Sequence, residues 1–379
     1  MRRALLVVLV AVLLLIAGCA EGGETADETP AAETGDDLED ADPDTEDGPE
    51  TAETPSDSNG SEETEANGTD SGDENGETTD VDGELEIHHI DVGQADATLL
   101  IDPSGETMLV DSGDWPQAGA DVIEYLEAQD VDRIDHLVAT HAHADHIGGH
   151  DEIIAHYETE RDGIGAAYDS GVATTSQTYE RYLDAVEEHD VDLFVVDEDD
   201  RFEFGAADVD VLNPPSGDSG SDLHYNSVTL RVEFGEFAYL TTGDAEAEAE
   251  QRMVDEHGDR LDVDVYQAGH HGSSTSSSQP FMDRVTPAVA IISSAYDSQY
   301  GHPSDDVLEE YADRGLETYW TGVHGDVVLT TNGEGYDVET EREAPTDAGA
   351  LLGEKPTDDS DAQEAVIQPI RPTVLPVAD

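Results

Sequence analysis

Residues 136–149 read His136-Leu137-Val138-Ala139-Thr140-His141-Ala142-His143-Ala144-Asp145-His146-Ile147-Gly148-Gly149. An apolar, strand-like run ends at Thr140. Three histidines and one aspartate then follow in six residues, spaced only by alanine. Imidazole and carboxylate are ligands for zinc and similar divalent ions. Alternation at a strand end turns His141 and His143 the same way. Asp145 and His146 fall in the following turn, where they can face a second ion. The glycine pair lets the backbone turn sharply into the next helix. A solvated histidine-rich loop or a single structural metal is the plain alternative, and the spacing after a strand favours a two-ion arrangement.

Other polar groups also stand just after strand-like runs. Asp111 closes Met108-Leu109-Val110, Asp244 follows Thr241-Thr242-Gly243, and His270-His271-Gly272-Ser273 follows Val265-Tyr266-Gln267. Tyr300-Gly301-His302-Pro303 follows the run Ala288–Ile292 and its loop. Each alone is ordinary, since an Asp in a glycine turn is usually a turn former. Together they supply the carboxylates and imidazoles that one short motif lacks.

The surrounding pattern is mixed. Strand-length apolar runs are predicted at 84–90, 98–101, 107–110, 136–140, 193–196, 209–212, 228–234, 238–242, 263–267, 288–292 and 326–330. Helical spacing fits 120–127, 178–188, 245–255 and 304–313, the last with Ser304 as N-cap. Residues 84–340 therefore read as one α/β or α+β domain with a large core.

His141-x-His143-x-Asp145-His146 matches the H-x-H-x-D-H signature of the metallo-β-lactamase fold. The whole of 84–340 resembles the extracellular hydrolase domain of ComEC-type DNA-uptake proteins. The resemblance also rests on Asp91-Val92-Gly93-Gln94-Ala95-Asp96-Ala97, Val110-Asp111-Ser112-Gly113, Asn226-Ser227-Val228-Thr229-Leu230, Thr242-Gly243-Asp244-Ala245-Glu246, and the two His-containing segments just quoted. It implies an αββα sandwich with a two-ion site at one edge. His141 and His143 would bind the first ion, Asp145, His146 and His302 the second, and Asp244 would bridge them. His271, or its neighbour His270, would face a substrate phosphate and protonate the leaving group, with Asp145 also among the catalytic residues. Asp111 would orient the histidines, and Asp91 would lie near the site. Many members have a further histidine for the first ion; Asn226-Ser227 stands there, and His224 is nearby without a clear match. The first ion is therefore expected to be weakly held. Zinc is the default metal, and mixed His/Asp ligation also suits manganese.

Two divalent ions a few ångströms apart would lower the pKa of a shared water, and the hydroxide would attack a phosphodiester. The implied activity is a phosphodiesterase, foremost a nuclease on extracellular DNA. Envelope-polymer phosphodiesters, a β-lactam or thioester, and a non-catalytic surface binding module are the alternatives. The membrane channel of ComEC-type proteins has no counterpart here, so DNA transport by this chain alone is not expected.

The whole chain has 379 residues with 93 Asp+Glu against 14 Lys+Arg, a formal net charge of -79. Lys355 is its one lysine. Such a surface excludes nucleic-acid binding by a basic patch and electrostatic adhesion to anionic lipid. Residues 20–83 carry 25 of the acids and no Lys or Arg, so most of the acidity lies elsewhere and the composition reads as halophilic. At molar salt the screening length falls to about 3 Å, and self-repulsion fades.

The N-terminus has Met1-Arg2-Arg3, an apolar run from Ala4 to Ala17, then Gly18-Cys19. This describes a secretory signal over 1–18, too short to span a membrane. Ile16-Ala17-Gly18-Cys19 resembles a lipobox, which implies a lipid on Cys19 and a place on the extracellular face of the cell membrane. The arginine pair is compatible with twin-arginine export; an uncleaved signal-anchor is the alternative. Residues 20–83 read as a disordered acidic tether, and 341–379 as a polar, proline-containing tail. Cys19 is the single cysteine, which rules out an intrachain disulfide and a cysteine-based zinc site.

Overall fold

The computed structural model describes residues 81–356. The signal, the lipobox cysteine, nearly all of the acidic tether and the end of the tail lie outside the described residues.

Two sheets face each other. The first holds eight strands in the order β15-β14-β1-β2-β3-β4-β5-β6. These are β1 Leu85–His89, β2 Thr98–Ile101, β3 Thr107–Val110, β4 Ile134–Val138, β5 Ile164–Asp169, β6 Leu193–Val195, β14 Val327–Thr331 and β15 Tyr336–Thr340. The second holds seven in the order β13-β12-β11-β10-β9-β8-β7. These are β7 Arg201–Phe204, β8 Ala207–Asn213, β9 Thr229–Phe234, β10 Phe237–Thr241, β11 Val265–Gln267, β12 Val289–Ile292 and β13 Glu317–Trp320. The helices are α1 Ala120–Ala128, α2 Ala144–Ile147, α3 His150–Glu160, α4 Gln177–Glu188, α5 Ala247–His257, α6 Gln279–Val285, α7 Asp305–Arg314, α8 Thr321–His324 and α9 Ala348–Glu354.

Alternation sorts the strand side chains into three apolar layers. Ile87, Leu100, Met108 and Val138 of the first sheet meet Val209, Leu230, Tyr239 and Val265 of the second. On the outer face of the first sheet, Leu99, Leu109 and Leu137 pack on Val122, Ile153, Tyr157 and Tyr182 of α1, α3 and α4. On the outer face of the second, Leu240, Tyr266 and Ile292 pack on Met253, Phe281, Leu308 and Leu351 of α5, α6, α7 and α9. The architecture is an αββα sandwich. Both faces of the central strands are covered, so their sequences read as continuous apolar runs.

Strands β3 to β6 run parallel, as do β10 to β13. Loops that leave the C-terminal ends of β3, β4, β10, β11 and β12 carry Asp111, the histidine motif, Asp244, His270-His271 and His302. Several elements had no expectation in the sequence: β5, β7, β13, β15, α6 and α9. The folded part also continues past residue 340. Asp347 caps α9, Ala348 and Leu351 are buried in the outer core, and the Lys355 ammonium donates to the carbonyls of Gly301 and Pro303. So short a helix offers too few apolar positions for periodicity to reveal it.

Glu250 on α5 is buried and accepts from the backbone N–H groups of Ser277 (2.6 Å) and Ser278 (2.8 Å), at the entry to α6. Burial raises its pKa from 4.5 to about 7. The folded state thus holds this proton more tightly than the unfolded chain. The resulting stabilisation is complete below about pH 4.5 and is lost as pH rises through about 7. Denaturant unfolding in molar KCl should show Glu250→Gln gaining on the wild type by about 2 kcal/mol between pH 5 and pH 8. A constant difference would contradict this account.

Candidate metal centre

Asp244 sits at the end of β10, almost fully buried, in a cluster of imidazoles. Its Oδ1 is 3.1 Å from His146 Nε2 and 3.9 Å from His271 Nε2. Its Oδ2 is 3.6 Å from His141 Nε2 and 3.6 Å from His270 Nε2. Two compact donor sets share this carboxylate. His141, His143, His224 and Asp244 form one; Asp96, His146, Asp244 and His271 form the other. Within each set the ligand atoms lie within 4.8 Å of one another.

The donor sets fit divalent ions. His146 Nε2, His271 Nε2 and Asp244 Oδ1 are buried and have no hydrogen-bond partner. Unpaired buried polar atoms are costly, and here they converge. Tetrahedral ligands at about 2.0–2.1 Å from zinc stand roughly 3.3 Å apart, close to the spacing across Asp244.

Hydrogen bonds behind the cluster fix which imidazole nitrogens face it. Asp111 accepts from the backbone N–H of Thr140 (2.9 Å), the Thr140 hydroxyl (2.7 Å) and His146 Nδ1–H (2.7 Å). With its hydrogen committed to Asp111, the Thr140 hydroxyl accepts from His141 Nδ1–H at 3.1 Å. Both histidines thereby present Nε2 inward, the usual carboxylate–histidine device of metal sites. His271 Nδ1–H donates to the Ser293 carbonyl at 3.1 Å. Glu246 Oε1 lies 3.4 Å from Nδ1 of both His224 and His270.

Charge balances inside the cluster. Burial opposes protonation of His146, but Asp244, Asp111 and Asp145 outweigh it and hold the imidazole well above its usual pKa. For His271, Asp244 and Asp96 likewise overcome burial and lift it to about 9. Burial, with His146 beside it, keeps His141 well below the usual value. Burial favours a neutral Asp244, yet His146, His270 and His271 hold it well below the carboxylate range. Glu246 is lowered by its contacts to His224 and His270. A divalent cation would replace the imidazolium protons as the neutralising charge.

The backbone carries strain here. Asp111, His270 and His271 have φ of 58°, 50° and 55°, a region that costs a non-glycine residue about 1–3 kcal/mol. The glycine pair after the motif serves close approach rather than turning, since both residues have negative φ. A Cβ on Gly148 would lie 2.1 Å from Trp115 N, and one on Gly149 2.6 Å from Gly119 Cα.

The expected residues are distributed differently from the resemblance. His141, His143, His146 and Asp244 converge. Asp145 stands at the rim of the second set, its Oδ2 3.3 Å from His271 Nε2. His302 belongs to neither compact set; its ring centroid is 5.7 Å from that of His270 and 6.4 Å from that of His271. Asp96 and His271 occupy that side instead. Asp91 accepts from Arg342 at 2.6 Å and is in neither set. His224 completes the first set, although it has no clear match in the family pattern. Its approach depends on the loop before β9, which no local pattern reveals. Asp96, in the loop between β1 and β2, was visible only as part of a longer matching segment.

Residues 90–295 match the metallo-beta-lactamase superfamily. The chain belongs to that superfamily. ComE operon protein 3 of Bacillus subtilis is 30% identical over 243 residues, 60% of this chain and 30% of the relative. Competence protein ComA of Neisseria gonorrhoeae is 30% identical over 236 residues, 62% of this chain and 30% of the relative. The chain thus spans about a third of the length of these curated relatives. Among solved structures, the metallo-beta-lactamase fold protein YhfI of Bacillus subtilis superposes with a TM-score of 0.45 at 11% identity, over 66% of this chain and all of that one. A two-ion site shared through Asp244 suits the metal-dependent hydrolases typical of this superfamily.

If His224 completes the first set, His224→Ala should weaken one bound ion by about 10–100-fold and spare the other. Glu246→Ala should follow it in the same direction with a smaller effect. Equilibrium dialysis with Mn²⁺ or Zn²⁺, beside the absorption spectrum of the Co²⁺ form, measures both. Two undisturbed ions in His224→Ala would remove His224 from the set.

Proposed function

We propose that this protein is a two-ion phosphodiesterase of the cell surface, foremost a nuclease on extracellular DNA. The observation that carries the reading is the shared Asp244 carboxylate, with one oxygen turned to each histidine group and buried donor atoms left unpaired around it. When bound, two divalent ions would activate water and neutralise charge on a phosphoryl group. His141, His143 and His224 would hold one ion, and Asp96 and His146 the other, with Asp244 between them. Zinc is the default occupant and manganese is compatible with the mixed donors.

His271 and His270 have the second task of the site. His271 is aimed by Ser293 and faces Asp145, while His270 lies half-buried toward the open side. Asp244 and Asp96 favour the protonated form of His271, which can then pass a proton to a leaving alkoxide. A cleft of about 730 Å³ opens alongside, bordered by Asp218, Asp222, Glu246 and Glu248. The matching of a competence protein among the relatives supports DNA as the substrate.

Export and a lipid on Cys19 follow from the signal-like start and the lipobox resemblance. The net charge of -79 implies a halophilic setting, in which screening reduces repulsion of a phosphate polymer. Cleavage of bis-p-nitrophenyl phosphate and linear DNA is therefore expected to require Mn²⁺ or Zn²⁺ and to rise toward molar KCl. His143→Ala should lower both by at least about 100-fold. Cleavage of the small ester alone would transfer the reading to an envelope polymer. An optimum in dilute buffer would reject the halophilic nuclease.

A further inference from the structure

We propose that Trp115, Tyr296 and Tyr300 form a stacking rim that seats the unpaired bases of a single-stranded nucleic acid while its backbone reaches the histidine–aspartate centre. The proposal rests on the phosphodiesterase reading above and specifies how such a substrate is held.

These three are the large hydrophobic side chains that stand exposed among the described residues, at 55%, 47% and 49%. Single exposed aromatics need no explanation, but a group around one site does. All three lie on loops at the edge that carries the cluster. The Trp115 backbone is pressed against Gly148, two residues after His146. The Tyr300 ring is 5.8 Å from that of His302, which stacks toward His271. Tyr296 lies parallel to the buried Trp320 at 6.0 Å and 19°. Gln94 joins the two tyrosine positions, accepting from Ala295 N and contacting His302 Nδ1, each at 3.4 Å. The aromatic rings thus sit on supported backbone.

Charge leaves few other ways to grip a nucleic acid. Every Arg and Lys among the described residues is already in an ion pair with a carboxylate. The cleft beside the centre is acidic. A phosphate backbone therefore finds no free cationic side chain there, and counterion release cannot supply affinity. Base stacking on aromatic faces is sequence-tolerant and does not depend on surface charge. It works at molar salt, where phosphate–lysine contacts would be screened. It also selects unpaired bases, because a duplex hides their faces.

The test uses the full chain with Mn²⁺ in 2 M KCl and three substrates: dT12, a 12-mer of abasic deoxyribose phosphate, and bis-p-nitrophenyl phosphate. The wild type should cleave dT12 with a KM at least about tenfold below that for the abasic strand. The combined variant Trp115→Ala, Tyr296→Ala, Tyr300→Ala should raise the dT12 KM by about tenfold or more, with kcat little changed, and so erase the difference. Phe at the same three positions should restore it, which separates stacking from a folding defect. Equal KM for the two strands in the wild type, or an unchanged dT12 KM in the alanine variant, would overturn the rim. Turnover of the small ester without cleavage of dT12 would overturn it together with the nuclease reading. Loss of all turnover would overturn the phosphodiesterase reading itself.

Discussion

The Asp244 carboxylate, buried between two histidine groups, is the interaction on which the rest of the site depends. Its two oxygens divide the cluster: Oδ2 toward His141 and His270, Oδ1 toward His146 and His271. A lone buried carboxylate would be neutralised by its surroundings. Here opposing imidazolium charge keeps it ionised, so it can serve cations. The sandwich exists around it in a literal sense, because Asp244 leaves the second sheet while His141, His143 and His146 leave the first. Neither sheet holds a complete donor set.

Support for the cluster comes from neutral and charged groups that never face it. Asp111 controls His146 directly and His141 through the Thr140 hydroxyl. Ser293 and Glu246 do comparable work for His271, His224 and His270. The backbone at Asp111, His270 and His271 is left-handed. Such strain is tolerated where surrounding structure over-determines the conformation.

The acidic composition sets a second constraint. Carboxylates so outnumber cations that each described Arg and Lys has a partner. On the proposed activity, chemistry on an anionic polymer would fall to bound metal, imidazole and aromatic faces. Imidazoles and carboxylates line the interior of the site, and Trp115, Tyr296 and Tyr300 stand exposed on loops at its edge.

Much of this was legible in the sequence. The histidine motif after a strand, the apolar runs and the post-strand Asp244 pointed to a two-ion site on one α/β or α+β domain, because ligand type, period and turn residues are local properties. The resemblance added the αββα layering. Local pattern did not reach His224, Asp96 or Glu246, whose neighbours come from distant loops. Nor did it separate His302 from His271, two histidines after adjacent parallel strands. The helix α9 and strands β7, β13 and β15 were hidden by shortness or by partial burial, and β5 by the Gly165-Ala166-Ala167 in its middle. What the sequence determined by itself was the chemistry available and the charge the protein must live with. Which nitrogen and oxygen atoms converge was decided only when two sheets packed face to face, since that distance is set by the shared core rather than by any segment.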